Sequence, residues 1–244
     1  MIELITKNHS KSPVAEAYRT IRTNVQFSAV NKALKTIAIT SATANEGKST
    51  IVSNLGVVMA QAGHKVIIMD CDFRNPTQHK IFKVPNKGLS NCVAMQNKVV
   101  DIIQHTEIEG LDILTSGPVA PNPSEILSSK RMDEVLEVLS KEYDYVIIDT
   151  PPILPVTDAA VVAAKVDGVI MITAWGVINP DIARDAKTRL VQAGANIIGV
   201  ILNKVEVNAP GNGYGYGYGY GYYYYYGNEE KDEDEKKHKH SKEQ

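Results

Sequence analysis

Cysteine is nearly absent from this 244-residue chain, which carries only Cys71 and Cys92. Two thiols cannot form a disulfide framework, so a small stapled extracellular fold is excluded and a reducing cytosol fits. Cys71 sits between two aspartates at a strand end and reads as a small buried thiol rather than a nucleophile. Long hydrophobic runs are also missing. Nothing approaches the ~20 apolar residues needed to span a bilayer, and no signal-peptide core precedes residue 30. Membrane association is therefore expected only through a partner. An excess of one charge is lacking too: the formal net charge is −2, which argues against nucleic acid as a partner.

Tyrosine is abundant in one place. Nine of the twelve tyrosines fall in one stretch: Tyr214, Tyr216, Tyr218, Tyr220, Tyr222, Tyr223, Tyr224, Tyr225 and Tyr226, the first five spaced by glycine. Tyr18, Tyr143 and Tyr145 are the others. Alternating glycine maximises the entropy lost on ordering and supplies no aliphatic packing, so residues 209–228 cannot build a core. They read as a tether loaded with hydroxyls. Residues 229–244 mix acids and bases and read as a solvated end, in which His238 and His240 lack the fixed geometry of a metal site. Residues 1–208 are apolar enough to form one α/β domain.

Within that domain, Ser12-Pro13 opens a helix expected to run to about Asn31. Runs of β-branched residues then alternate with helical stretches. Strands are predicted at Thr36–Thr40, Val66–Asp70, Leu111–Thr115, Tyr145–Asp149, Val169–Thr173 and Ile197–Leu202. Helices are predicted at Ser49–Ala62, from the cap Asn122, and at Pro155–Lys165 and Asp181–Ala193. The strands are continuous Val/Ile runs rather than alternating ones, as a sheet buried on both faces requires. The fold class is α/β, a P-loop NTPase with a mostly parallel sheet flanked by helices, and ligands belong at the carboxyl ends of its strands.

The strongest chemical motif is Ser41-Ala-Thr-Ala-Asn-Glu-Gly-Lys-Ser-Thr50, between the first strand and the helix that follows. Such a loop wraps phosphate oxygens with backbone N–H groups, so Asn45, Glu46, Gly47, Lys48, Ser49 and Thr50 are the nucleotide-binding candidates. Lys48 reaches the β- and γ-phosphates, and the Ser49 hydroxyl holds Mg²⁺. Ala42 replaces the usual first glycine. Two further strands deliver carboxylates to the same end: Asp70-Cys-Asp72-Phe-Arg74 and Asp149-Thr-Pro-Pro152. Asp70, Asp72 and Asp149 with Ser49 therefore make a candidate magnesium site. A lone aspartate here reads equally well as a helix cap; three beside one phosphate loop do not. Asn203, after the last strand, is a candidate for contacting the nucleotide base, although a turn-forming asparagine fits nearly as well.

These three motifs together with the terminal tyrosines resemble the bacterial tyrosine kinases, the cytoplasmic autophosphorylating kinases linked to capsular and exopolysaccharide synthesis. The resemblance covers roughly residues 12–226 and includes Leu154-Pro-Val-Thr-Asp-Ala-Ala160. It implies ATP and Mg²⁺ as cofactors and catalytic roles for Lys48, Asp70, Asp72 and Asp149. Asp70 is the implied base for the incoming hydroxyl, and Asp149 completes the magnesium shell through water. Tyr214 to Tyr226 become the phosphoacceptors. On the N-terminal helix, Glu16, Arg19 and Arg22 follow a slowly drifting stripe that alone reads as a solvated charged face. The resemblance makes it the contact of a homo-oligomeric ring, an octamer, with transfer between subunits. It also implies a split arrangement in which a separate transmembrane protein, the polysaccharide co-polymerase, activates the kinase at the inner face of the membrane. A cognate tyrosine phosphatase is the remaining implied partner.

Two rivals are weighed against this reading. A partitioning or septum-positioning ATPase carries a signature lysine four residues before the loop's second glycine, where Thr43 stands here. A nucleotide-dependent scaffold with an adhesive glycine–tyrosine tail accounts for the tail but not for the three aspartates.

Overall fold

The computed structural model describes residues 3–29, 33–95 and 98–205. The tyrosine cluster, the charged end and the proposed boundary at residue 208 lie outside the described residues. In chain order the elements are α1 (Ile5–Asn8), α2 (Pro13–Ser28), β1 (Thr36–Ser41), α3 (Lys48–Gln61), β2 (Val66–Asp70), α4 (Gln78–Ile81), α5 (Leu89–Met95), β3 (Gln104–His105) and β4 (Leu111–Leu114). They continue with α6 (Pro123–Ser128), α7 (Lys130–Glu142), β5 (Tyr145–Asp149), α8 (Asp158–Ala163), β6 (Gly168–Ala174), α9 (Pro180–Gln192) and β7 (Ile197–Asn203).

The seven strands form one sheet in the order β3-β4-β2-β5-β1-β6-β7. All pairs are parallel except β3 with β4. The two-residue antiparallel β3 is an addition that no apolar run announced. Period-two alternation still operates, but both faces are apolar. Val66 and Ile68 pack with Ile51, Leu55 and Val58 on one side. Ile67 and Met69 pack with Val135, Leu139 and Val162 on the other. That two-sided burial is why the strands read as unbroken Val/Ile runs. Each fully buried aliphatic side chain here contributes roughly 1.5–3 kcal/mol. The helix α3 lies unusually close to the sheet: a Cβ on Gly56 would stand 2.6 Å from Ile68 Cδ1.

Caps explain several boundaries. Ser12 Oγ accepts from Ala15 N–H at 3.2 Å with Pro13 in the first turn, as expected, and α2 closes at Ser28. Asn122 does not cap α6; its amide donates to Glu125 Oε2 at 3.1 Å instead. Ser129 ends that short helix and caps α7 through a bond from Met132 N–H. The helix expected from Pro155 begins only at Asp158. The preceding chain turns at residues 153–155 against the end of β1 and the phosphate loop, where Ile153 N–H donates to Ser41 O and Leu154 N–H to Ala42 O. Among the described residues, no helix is long and apolar enough to cross a membrane.

Candidate nucleotide and phosphoryl-transfer site

The central strand β1 hands directly into the loop 42–47. Asn45 at φ 63° and Gly47 at φ 101° turn the chain so that Lys48 opens α3. Asparagine tolerates the left-handed region better than most residues, which is why it serves at position 45. Among the described residues, nothing accepts a hydrogen bond from the main-chain N–H groups of residues 46–50. Unsatisfied donors at a helix N-terminus, with the dipole behind them, form an anion cradle. The Lys48 side chain is 7 % exposed and lies close enough to act on Asp149.

The Glu46 side chain has a second role. Its carboxylate faces inward, fully buried, accepting from Thr43 N–H (2.6 Å), Thr43 Oγ1 (3.0 Å) and Ala174 N–H (3.1 Å). It braces the loop, and only its main chain is left for a phosphate. Asn203 also acts on the loop: its amide donates to Glu46 O at 2.8 Å, and Lys204 Nζ donates to Asn45 O at 2.7 Å. The Asn203 carbonyl oxygen remains for a base.

The carboxylates arrive by register, since Asp70 on β2 pairs with Asp149 on β5 at the carboxyl end of the sheet. The two do different things. Asp70 is fully buried, with Oδ1 accepting from Asp72 N–H and Oδ2 from Thr77 and Gln78 N–H, each at 3.1 Å. Burial and the charge of Asp149 push its pKa well above the usual carboxylate range. Asp72, nearer the surface at 9 % exposure, accepts from Asn75 N–H at 2.9 Å. Asp149 accepts on Oδ2 from Gln78 Nε2 at 2.7 Å, while its buried Oδ1 has no hydrogen-bond partner. Burial pushes Asp149 up to about 6, although the Gln78 bond, the Ser49 hydroxyl and the Lys48 ammonium pull it back.

The expected three-carboxylate cluster does not form. Among the described residues, no group of three His, Cys, Asp or Glu side chains is arranged to hold a metal. Asp70 is occupied by three backbone donors. A donor-free buried carboxylate oxygen beside the Ser49 hydroxyl nonetheless suits one divalent cation or a water bound to it. Arg74 forms a forked pair with the buried Asp158, at 2.8 and 3.3 Å. It thereby ties the loop after β2 to the start of α8. Gln78, missed in the sequence, lies at the centre of the site. Nothing marks it locally except its place eight residues past Asp70.

On α2, Arg19 pairs with Glu16 at 2.6 Å on the same helix. Arg22 turns inward to Val58 O at 3.2 Å, with its Nε buried and unpartnered. The outward stripe therefore narrows to Glu16 and Arg19.

A phosphate loop on the central strand and two strand-end aspartates in register define a nucleotide-binding P-loop protein of the doubly wound α/β class. The AAA domain family matches residues 34–175. The chain is 41 % identical over 201 residues to the tyrosine-protein kinase YwqD of Bacillus subtilis, covering 82 % of this chain and 85 % of that one. The kinase domain of the Escherichia coli tyrosine kinase ETK superposes with a TM-score of 0.82 at 37 % identity, covering 86 % of this chain and 83 % of that domain. The septum site-determining protein MinD of Pyrococcus horikoshii, complexed with Mg-ADP, is more distant, with a TM-score of 0.61 at 26 % identity over 73 % of this chain and 74 % of that one. The chain belongs to the bacterial tyrosine-protein kinase family and is a protein-tyrosine kinase. The septum-type ATPase is the weaker likeness, and Thr43, held by Glu46, occupies its signature lysine position.

Proposed function

We propose that this kinase transfers the γ-phosphoryl group of ATP to the tyrosines Tyr214–Tyr226 of a neighbouring copy, and that the resulting charge regulates capsular or exopolysaccharide synthesis. The observation that carries the reading is Asp149 Oδ1, a donor-free buried carboxylate oxygen beside the phosphate cradle of residues 46–50. Ser49 and Asp149 would hold Mg²⁺, which would supply neutralisation of the charge developing on the transferred group. Lys48 binds the β- and γ-phosphates, and Asn203 faces the base. Asp70 accepts the phenolic proton. Its raised proton affinity suits that task, and three backbone bonds leave about one of its four lone-pair positions unused. Asp72, nearer the surface, guides the hydroxyl in.

The chain leaves β7 at Asn203 and Lys204, which themselves hold the loop. Residues 204 to 214 span at most about 36 Å when extended, which bounds the reach of the first acceptor tyrosine. Each phosphate adds about −1.5 to −2 charges, and repulsion between modified tails loosens a ring of subunits. Glu16 and Arg19 supply the ring's polar contact, with Arg22 supporting the helix from within. An octamer, a transmembrane co-polymerase that activates the kinase at the membrane's inner face, and a tyrosine phosphatase complete the proposed assembly.

Sedimentation velocity tests the ring. A Glu16→Ala/Arg19→Ala/Arg22→Ala variant should sediment as monomers or small oligomers where the parent forms a large species. An unchanged large species would reduce this face to solvated charges.

A further inference from the structure

We infer that Gln78 is a positioning residue that sets which oxygen of Asp149 faces the cation or its bound water, and so controls metal affinity. The inference rests on the magnesium–nucleotide reading of the site. Gln78 is completely buried at the start of α4, and every polar atom of its side chain is used. Nε2 donates to Asp149 Oδ2 at 2.7 Å and to Ser49 O at 3.2 Å. Oε1 lies 2.8 Å from the Ser53 hydroxyl, sharing that group's single proton with Ser49 O at 2.6 Å. The amide orientation follows from chemistry, because a carboxylate and a carbonyl can only accept. The Gln78 main-chain N–H also donates to Asp70 Oδ2 at 3.1 Å.

One residue therefore touches both strand-end carboxylates and the first two turns of α3. Its amide occupies Asp149 Oδ2, which leaves Oδ1 as the oxygen without a donor, on the carboxylate that sits beside Ser49. Without the amide, the carboxylate is free to rotate and to lose that aim. Its two N–H dipoles also lie on the two like charges, easing their approach. Charge-assisted bonds of this kind are about twice as strong as neutral ones, and loss of a partner that orients a metal ligand commonly weakens metal binding 10- to 100-fold.

Gln78→Met keeps the buried volume and removes the amide. Mn²⁺ binding to the ADP complex, followed by the electron paramagnetic resonance signal of free Mn²⁺, should weaken about tenfold or more. ADP affinity measured in EDTA should stay within about twofold, because the phosphate cradle is untouched. Unchanged Mn²⁺ affinity overturns the inference. So does an equal loss of ADP affinity in EDTA, which marks a merely structural residue. Should Gln78→Met fail to fold, Ser53→Ala decides on the same two readings, with a loss of about threefold expected for Mn²⁺. If the unmodified chain with ADP binds no Mn²⁺, the metal reading itself fails, and that result is distinct from the other two.

Discussion

Lys48→Met should lower phosphotyrosine formation about a thousandfold or more, a barrier increase of roughly 4 kcal/mol. The substitution fills nearly the same buried space, so the fold should survive and far-ultraviolet circular dichroism should not change. What is lost is the buried Lys48 ammonium, proposed to bind the transferring group, in a reaction driven by positioning and charge neutralisation. The same variant tests the route of transfer. Mixed with an active copy truncated before residue 209, Lys48→Met should recover phosphate on its own tail. If the mixture stays unlabelled while the parent labels itself, transfer between subunits is wrong and the tail must reach its own site.

The second large effect is expected at Asp149, and it has two opposite faces. Asp149→Asn should slow transfer about a hundredfold by removing the charge that holds the cation. The metal-free protein should become more stable. Folded Asp149 titrates near 6, raised by burial, while an unfolded aspartate titrates near 3.9. The folded state thus binds this proton more tightly, and stability falls as pH rises from about 4 through about 6. Above that window the ionised carboxylate costs at most about 3 kcal/mol, which the asparagine escapes. Urea denaturation in EDTA should give a higher midpoint for the variant at pH 7.5 and nearly equal midpoints at pH 4. A variant less stable at pH 7.5 would mean that Asp149 is not held at a cost. The neighbouring Asp70, raised in part by Asp149 itself, moves the stability in the same sense.

Such a cost is what a site prepared for a cation should carry. Two carboxylates in adjacent register, one with a donor-free oxygen, are unfavourable until positive charge arrives. The fold tolerates them because the surrounding sheet is apolar on both faces and heavily packed.

Much of this was legible before any coordinates. Six strands and the phosphate loop announce themselves because each rests on local chemistry: Val/Ile runs for two-sided burial, glycine and asparagine for positive φ, aspartates where strands end. What escaped detection depends on distant partners. Gln78 bonds Asp149 across 71 residues and Ser53 across 25. Glu46 turns inward because Ala174, 128 residues away, offers a bare N–H. Arg22 leaves its stripe for a carbonyl on α3, 36 residues on. The late start of α8 has the same origin, since the stretch before it is held against the loop after β1 and Asp158 is claimed by Arg74. A pattern of three or four residues cannot contain such information.

Why the tail and not the other tyrosines should be modified also follows from burial. Tyr18 is buried, with its hydroxyl pushed up to about 12. Tyr143 is buried and donates to Asp112 Oδ2 at 2.7 Å. Tyr145 lies on β5, half-buried, in a T-shaped contact with the His64 ring. All three rings are packed into the folded domain, so none can travel to a neighbouring site as a tethered tyrosine can. The most direct measurement is therefore phosphotyrosine mapping by mass spectrometry after incubation with ATP and Mg²⁺, with and without the cytoplasmic segment of a membrane activator. Phosphate should be found within Tyr214–Tyr226 and absent from Tyr18, Tyr143 and Tyr145. Unmodified tail tyrosines under both conditions would contradict the account.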